Sequence, residues 1–419
     1  MRSTAYDSQK EMEIMDYLTQ NFGFEVFTPG LERTAPVYAP FIEYFKNKGT
    51  KIITVAGTNG KGQTAHTMAS LFGMENKSVA LWTSPHILSV RERFLFVRKK
   101  LSSEATYEEL NLGMIEAQRI LKDELGGVKV SFYEFLFLVF LVIAKNEEKL
   151  HYLLLEVGLG GRLDAVNHFD ADAACITSIS RDHQSILGSR YDLILNEKIA
   201  VARKKRPLFT NFSLEYLNTL TKNYIEVHEI DWRVIPSHEN YFKANQELAW
   251  AIFYFFEPKS VLTFSSSMTQ LPLYKGRREI MTFREMSLIF IGAHNTDGIR
   301  KMLAGFLSEN AHDKNTIYPE ELLVSFSGRP INEVEVMLKS LIDFFQDRAR
   351  ITLTSFDHPK ALDRELIALA CEKMNKQVNK GILNFVFDWK SELQKSKSKT
   401  ILVCGSYYFI GEVQRFIRA

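Results

Sequence analysis

The segment Ile52–Thr64 (IITVAGTNGKGQT) joins an apolar, β-branched run to a glycine-rich turn that carries a single lysine, Lys61. The run is typical of a buried strand, and residues 66–75 after the turn have the composition of a helix. A strand that turns on glycines into a helix N-terminus presents backbone N–H groups to an anion, and Lys61 would add a positive charge beside phosphate oxygens. We therefore expect the following residues to bind nucleotide phosphates: Gly57, Thr58, Asn59, Gly60, Lys61, Gly62 and Thr64.

The general phosphate-loop template requires a glycine six residues before the lysine and a serine or threonine directly after it. Those two positions hold Val55 and Gly62, so the general template does not fit. The segment does match a narrower pattern, Gly-Thr-Asn-Gly-Lys-Gly-Ser/Thr-Thr, which is found in Mur-ligase-like amide ligases. Within that group it resembles the folylpolyglutamate synthase/dihydrofolate synthase family, with Gln63 standing where the family has Ser or Thr.

The composition of the 419 residues narrows the class of protein. A net charge of +2 gives no reason to expect nucleic acid or an anionic membrane as a partner. The three widely spaced cysteines match neither a disulfide framework nor a metal site, which favours a reducing compartment. We find no secretion signal, and the longest apolar run, Phe135–Ala144, is too short to cross a bilayer. We expect a cytoplasmic protein.

Strand-like apolar runs alternate with helix-like segments along the chain, which predicts an α/β fold with a mostly parallel sheet. The length is too great for one compact core, so we expect two domains. Residues 1–272 would form a P-loop-containing N-terminal ATPase domain and residues 273–284 a linker. Residues 285–419 would form a smaller, Rossmann-like C-terminal α/β domain.

Polar side chains follow several predicted strands, at the edge where ligands bind in parallel sheets. Glu156 ends one such strand and is followed by three glycines and an Arg162-x-Asp motif that we expect to be buried. Ser84 and His183 follow two others. Oxygen and imidazole ligands at neighbouring strand ends would suit nucleotide-bound Mg²⁺, which takes few protein ligands and keeps several waters. Considered alone, His183 is more often an ordinary surface or core histidine.

The run Glu156–Asn167 (EVGLGGRLDAVN) is close to the most distinctive motif of the same family. The resemblance implies that Ser84, Glu156 and His183 hold Mg²⁺, and that Lys198 is carbamylated to a carboxylate-like group near the metal. It therefore assigns catalytic roles to Lys61, His183 and Lys198. Without the resemblance, Lys198 would be interpreted as a surface lysine of a helix.

Two further stretches are similar to the family's substrate contacts. Gly30–Arg33 resembles its pterin-side loop, and Phe132–Phe135 resembles the segment that lines its pteroate site. The alternatives are a capped loop for the first stretch and part of a core helix for the second. The substrate-binding residues that the resemblance implies are Leu31, Glu32, Arg33, Phe132, Tyr133, Glu134, Leu163, Asp164 and Ala165.

The second half carries weaker matches. The resemblance implies that Asn245 contacts the nucleotide base and that Arg277 reaches the ATP phosphates, with His294 as a further nucleotide contact. Two substitutions depart from the family pattern. Gln63 replaces a hydroxyl that could bind Mg²⁺ or a phosphate, and Ile291 replaces a carboxylate expected to hydrogen-bond the nucleotide. The family's Lys-Asp pair after the C-domain strand is also absent.

The resemblance implies an ATP-dependent ligase that adds L-glutamate to dihydropteroate or folate through an acyl phosphate, with ATP and Mg²⁺ as cofactors. We expect a monomer whose partners are small molecules. One alternative is a nucleotide- or folate-binding pseudoenzyme, which the substitutions at Gln63 and Ile291 would explain. Another is a Mur-type amide ligase with a different substrate. The EVGLGGR run and the lack of a separate third domain argue against that second alternative.

Overall fold

The computed structural model describes residues 6–25, 28, 30–238, 240–272, 274–312, 318–378 and 383–418. The chain divides into two compact units. The first contains residues up to 238 together with 243–271, and the second contains residues 240–242 and those from 272 onward.

The first unit is organised around an eight-stranded sheet. Its strands are β1 (Lys51–Ala56), β2 (Val79–Trp82), β3 (Phe94–Arg98), β4 (Leu101–Glu104), β5 (Tyr152–Glu156), β6 (Ala173–Ile176), β7 (Pro207–Thr210) and β8 (Asp231–Val234). Their order is β4-β3-β2-β5-β1-β6-β7-β8. The six strands from β2 to β8 in that order pair in parallel, whereas β3 and β4 extend the sheet antiparallel. The α/β class with a mostly parallel sheet is thus confirmed.

Helices cover both faces of this sheet. They are α1 (Ser8–Phe22), α2 (Leu31–Asn47), α3 (Lys61–Met74), α4 (Tyr107–Arg119), α5 (Phe132–Lys145), α6 (Gln184–Leu187), α7 (Tyr191–Ile199), α8 (Glu215–His228), α9 (Tyr241–Phe256) and α10 (Phe264–Met268). Successive side chains of a strand point to opposite faces, and β1 shows the result. Ile52 and Ala56 join the core that contains α5, whereas Ile53 and Val55 join the core that contains α3 and α9.

The second unit has its own six-stranded sheet and its own core. The strands are β9 (Arg277–Phe283), β10 (Met286–Ile291), β11 (Glu321–Val324), β12 (Arg350–Leu353), β13 (Leu383–Phe385) and β14 (Thr400–Cys404), in the order β13-β12-β11-β14-β10-β9. The helices are α11 (Thr296–His312), α12 (Ile331–Phe345), α13 (Arg364–Val378), α14 (Trp389–Lys395) and α15 (Tyr407–Arg418). Only β9 runs antiparallel to its neighbour. Residues 277–283, within the expected linker, therefore form an edge strand.

The expected loop at Gly30–Arg33 is wrong after its first residue, because α2 begins at Leu31. This helix contains Pro36 and Pro40, which obscure its signal in the sequence. Both prolines are exposed, on the face where water can satisfy the carbonyl groups that a proline leaves unpaired. The opposite face buries aromatic and aliphatic side chains at helical spacing, and this burial stabilises the helix: Val37, Tyr38, Phe41 and Phe45.

Two simpler expectations concern membranes and thiols. Within the described ranges, no helix combines the length and the apolar character needed to cross a membrane. Cys175, Cys371 and Cys404 are free and buried, and burial raises the pKa of each thiol.

Candidate active site

The glycine-rich turn connects β1 to α3 at the carboxyl edge of the first sheet. Gly60 is the N-cap of α3 and has a left-handed backbone with φ of +93°, which glycine adopts without strain. No side chain among the described residues caps this helix N-terminus. The first N–H groups of α3 carry the positive end of the helix dipole. This is the arrangement that the sequence predicted for a phosphate site.

The turn is fastened to the segment that follows β6. The N–H of Thr58 donates to the carbonyl of Ser178 at 2.8 Å, and the N–H of Asn59 donates to Ser178 Oγ at 2.9 Å. Thr177 Oγ1 donates to the Asn59 carbonyl at 2.6 Å, and the Thr58 hydroxyl donates to the Ser180 carbonyl at 3.1 Å. This role of Thr177, Ser178 and Ser180 was not predicted from the sequence. The available signal was a run of hydroxyl residues directly after a buried strand.

Two lysine side chains meet at one backbone carbonyl. Lys61 Nζ and Lys198 Nζ each lie 3.1 Å from the Gly57 carbonyl oxygen, and Lys61 also donates to the Thr58 carbonyl at 3.2 Å. Lys198 is only 4% exposed, so its interpretation as a surface lysine is wrong. Burial, and then the charge of Lys61, lower the pKa of the Lys198 amine to about 7. A substantial fraction of this amine is therefore neutral, and hence nucleophilic, at neutral pH.

Glu156 and Ser84 are close neighbours at the same edge of the sheet. Glu156 ends β5 directly beside Val55 of β1, and its side chain is 2% exposed. The backbone N–H of Ser84, after β2, donates to Glu156 Oε2 at 3.3 Å. His183 follows β6 on a left-handed residue, with an exposed side chain. Within the described part of the chain, no group of three or more His, Cys, Asp or Glu side chains could hold a metal ion. The proposed Mg²⁺ set therefore stays a prediction.

Asp164 holds the Gly-rich turn after β5 in place. It is fully buried, and its carboxylate accepts hydrogen bonds from the N–H groups of Gly158, Leu159 and Val166 at 2.8 to 3.0 Å. The hydroxyl of Tyr133 donates to the same carboxylate at 3.0 Å. Two of the predicted substrate stretches thus contact each other.

The neighbours of Asp164 in this stretch differ in exposure. Ala165 is buried and Leu163 is partly buried. The expectation that Arg162 is buried is wrong, since its side chain is 55% exposed and forms an ion pair with Glu197.

Replacing Asp164 by Ala should lower the free energy of unfolding by about 3 kcal/mol or more, because three backbone donors and one hydroxyl lose a buried acceptor. Chemical denaturation measures this loss. Asp170→Ala is the matched control, because the Asp170 side chain is 86% exposed and its ion pair with Arg203 should contribute about 1 kcal/mol or less. Similar losses in both variants would contradict the structural role of Asp164.

The first predicted substrate stretch contacts the second one as well. Arg33 Nη2 donates to both carboxylate oxygens of Glu134, at 2.7 and 2.9 Å. Glu134 also closes the capping box of α5 with Ser131, so it fixes the start of that helix. Glu32 is exposed and Leu31 is partly buried, whereas Phe132 is buried. Phe132 and Tyr133 therefore belong to the first turn of a core helix, and their contact with a substrate stays a prediction.

Gln63 and Thr64, in the first turn of α3, have different surroundings. Asn245, on α9, donates from Nδ2 to Gln63 Oε1 at 2.8 Å. The Thr64 hydroxyl is buried and has no hydrogen-bond partner among the described residues. The expected nucleotide contact Asn245 is thus joined to the loop by the residue that departs from the family pattern.

The remaining predicted contacts lie in the second unit. Arg277 begins β9, but its side chain is outside the described part of the structure. His294 follows β10, and its Nδ1 lies 2.9 Å from the Gly292 carbonyl oxygen. Ile291, in place of the expected carboxylate, is 8% exposed and belongs to the apolar core of this unit. The roles of Arg277 and His294 stay predictions.

Comparison with known proteins identifies similar sequences, although no family model matches the chain. A dihydrofolate synthase/folylpolyglutamate synthase of Buchnera aphidicola is 37% identical over 155 residues, which is 37% of this chain and 36% of that protein. A protein of the same name from another Buchnera aphidicola is 26% identical over 431 residues, covering 96% of this chain and 94% of the relative.

The fold agrees over the whole length. The structure of Escherichia coli FolC in complex with DHPP and ADP covers 100% of this chain and 99% of its own, with a TM-score of 0.75 at 20% sequence identity. The first relative aligns over little more than a third of its length, while the second aligns almost completely. The resemblance found in the phosphate loop and the EVGLGGR run is thereby confirmed. Over almost its whole length the chain is therefore similar to a protein named dihydrofolate synthase/folylpolyglutamate synthase, at 26% sequence identity, and it shares the fold of such proteins.

Proposed function

We propose that this protein is an ATP-dependent ligase that adds L-glutamate to dihydropteroate, to folates, or to both. The observation that carries the proposal is that the amines of Lys61 and Lys198 meet at the Gly57 carbonyl of the glycine-rich turn. Glu156 lies on the adjacent strand. A cationic, anion-binding turn beside a buried carboxylate is suited to phosphoryl transfer, which depends on positioning and electrostatics.

The residues of the first unit fit ATP and Mg²⁺. Gly60 turns the chain into α3, so the first N–H groups of the helix carry the positive end of its dipole at the glycine-rich turn, where they would receive an anion. Glu156 and the Ser84 hydroxyl are oxygen ligands of the kind that Mg²⁺ prefers, with His183 as the third proposed ligand. Bound Mg²⁺ would neutralise charge on the transferred phosphoryl group.

The reaction has two steps. A substrate carboxylate oxygen attacks the γ-phosphorus of ATP, the bond to the bridging oxygen breaks, and ADP leaves with that electron pair. The amine of L-glutamate then attacks the acyl carbon, phosphate leaves, and a proton is released as the amide forms. Lys61 is placed to stabilise negative charge on the phosphoryl oxygens, and the described residues need supply no covalent nucleophile.

Lys198 is proposed to act as a carbamate. Its neutral amine would attack CO₂, forming an N–C bond and releasing one proton. The product is negatively charged, so the repulsion between Lys198 and Lys61 would become an attraction across about the same distance. The lowered pKa of Lys198 supports this assignment, because only the unprotonated amine reacts.

We propose that the predicted substrate-binding residues 31–33, 132–134 and 163–165 bind the substrate at the same edge of the sheet. Tyr133 and Asp164 contact each other beside the turn that follows Glu156, and Arg33 with Glu134 supports the start of α5. The pteroate part of the substrate would lie near Phe132 and Tyr133. Further contacts would come from Leu31, Glu32, Leu163 and Ala165. Asn245, Arg277 and His294 are proposed nucleotide contacts.

A second candidate is a nucleotide- or folate-binding protein without ligase activity. It is favoured by Ile291, which is packed in an apolar core where relatives would carry a carboxylate for the nucleotide. Lys61, Glu156, His183 and Lys198 are all retained, and a simple binding protein would not need the four together.

The test is ADP release in the presence of ATP, Mg²⁺ and L-glutamate, with 7,8-dihydropteroate or tetrahydrofolate added separately. We expect turnover that requires both glutamate and the pterin substrate. Activity with dihydropteroate alone would define a dihydrofolate synthase, and activity with tetrahydrofolate would add the polyglutamylating reaction. Protein that binds ATP or pteroate without any turnover would overturn the ligase assignment and establish the binding protein.

A further inference from the structure

One buried amide pair links the phosphate turn to a helix far along the chain. Gln63 lies in the first turn of α3, and its Oε1 accepts the hydrogen bond from Asn245 Nδ2 at 2.8 Å. The two side chains are 5% and 2% exposed. A buried hydrogen bond of this kind is costly to break from one side, because the remaining group loses its partner without regaining water.

The Asn245 amide is packed directly against Gly60. A Cβ atom added to Gly60 would lie 2.6 Å from Asn245 Oδ1 and 2.7 Å from Asn245 Nδ2, so the amide lies against the bare Cα of that glycine. Gly60 is also the left-handed N-cap residue that turns the chain into α3, immediately before Lys61. The position of the Asn245 amide therefore affects the backbone that starts the helix.

Gln63 determines the orientation of the Asn245 side-chain amide. Only the nitrogen of an asparagine amide can donate, so acceptance by Gln63 Oε1 directs Nδ2 toward α3. A serine or threonine at position 63 would be shorter by two side-chain atoms and would not span this gap. The residue that departs from the family pattern thus makes a contact that the usual hydroxyl could not make.

We propose that Gln63 is a positioning residue for nucleotide binding. Through Asn245 it holds Gly60, and with it the N–H groups at the start of α3, in the geometry that receives the ATP phosphates. This inference rests on the proposed function, since it concerns how the same turn binds ATP. It gives Gln63 a role as a supporting contact of the phosphate turn and not as a lost ligand.

The experiment compares ATP binding and stability in a double-mutant cycle. Gln63→Met keeps the side-chain length and removes the acceptor, Asn245→Leu removes the donor at similar size, and the third variant combines them. Titration calorimetry with ATP and Mg²⁺ gives Kd, and thermal unfolding without nucleotide shows that each variant is folded. We expect the Kd for ATP to rise about tenfold in each single variant. The Kd of the double variant should be no higher than that of the single variant that binds ATP more weakly.

Asn211→Leu is the matched control. Asn211 is 7% exposed and donates to the carbonyl of Ala244, next to Asn245, so its loss also removes a buried amide bond to α9. It does not contact the phosphate turn through that bond. We expect this variant to unfold at lower temperature while its Kd for ATP stays within about twofold of the unmodified protein.

The outcomes separate the inference from the function on which it rests. Unmodified protein that fails to bind ATP would overturn the nucleotide site and this inference together. Unchanged affinity in folded Gln63→Met would overturn the inference alone, as would independent, additive losses in the double variant. If Gln63→Met does not fold, Gln63→Ala removes the same acceptor without altering Asn245, which is itself a proposed nucleotide contact, and unchanged affinity in that variant would equally overturn the inference. An equal loss of affinity in Asn211→Leu would show a purely structural effect and would also overturn it.

Discussion

Replacing Lys61 by Met is expected to lower kcat/KM for ATP by about 10³-fold, because the variant loses the cation that would stabilise the transferred phosphoryl group. Lys61 Nζ is held by the carbonyl groups of Gly57 and Thr58, so the charge lies at the turn before any ligand binds. Methionine keeps the length of the side chain and removes only the ammonium group. The coupled assay of ADP release measures the effect.

Lys51→Met is the control for this variant. Lys51 begins β1, and its side chain is 51% exposed in an ion pair with Asp172 at 3.2 Å. Removing it takes the same charge from the start of β1, the strand that leads into the turn, and we expect activity within about twofold, since an exposed ion pair of this kind contributes little. Retention of a tenth or more of the activity in Lys61→Met would show that the lysine is not required.

Replacing Lys198 by Met is expected to lower turnover by about 10²-fold or more, since the proposed carbamate contributes a fixed negative charge at the site. Unmodified protein should lose activity in CO₂-free buffer and regain it when bicarbonate is added. The Met variant should not respond to bicarbonate. Lys204→Met serves as the surface control, because Lys204 is 61% exposed. Full activity of unmodified protein after thorough removal of CO₂ would exclude the carbamate.

The same variant tests the burial of the Lys198 amine through stability. The pKa of the Lys198 amine is lowered from its ordinary value of 10.5, which applies in the unfolded chain, to about 7 in the folded protein. Between these values the unfolded chain binds more protons than the folded one, so the free energy of unfolding rises with pH. In Lys198→Met this contribution is absent. The stability of the unmodified protein relative to the variant should therefore increase between about pH 7 and about pH 10 in CO₂-free urea denaturation, and a flat difference would contradict the shift.

Local patterns predicted the fold where burial and periodicity agree. Helix α1 at Ser8–Phe22 and helix α12 at Ile331–Phe345 are of this kind, since each presents an apolar face at helical spacing. Helix α2 was missed because Pro36 and Pro40 interrupt the sequence signal without interrupting the helix. Tertiary packing, which covers the apolar face of α2, outweighed the local cost of the prolines.

The placement of the candidate residues was predictable where they adjoin a buried strand. The glycine-rich turn with Lys61 follows β1 and Glu156 ends β5, as the apolar runs before them indicate, and their roles stay predictions. The burial of Lys198 was not, because it depends on packing against Gly57, 141 positions away. The pairing of Gln63 with Asn245 spans 182 positions, and neither residue has a local signal for it.

The hydrogen bonds that tie Thr58 and Asn59 to Ser178 and Ser180 have a consequence for the kinetics of binding. A turn with so many fixed contacts loses little conformational entropy when an anion enters it. The association rate should then be limited by diffusion and electrostatic attraction, without a slow ordering step of the turn. The amide hydrogens of Thr58 and Asn59 should exchange with solvent only when the segment after β6 opens with them, so these two strand ends form one cooperative unit.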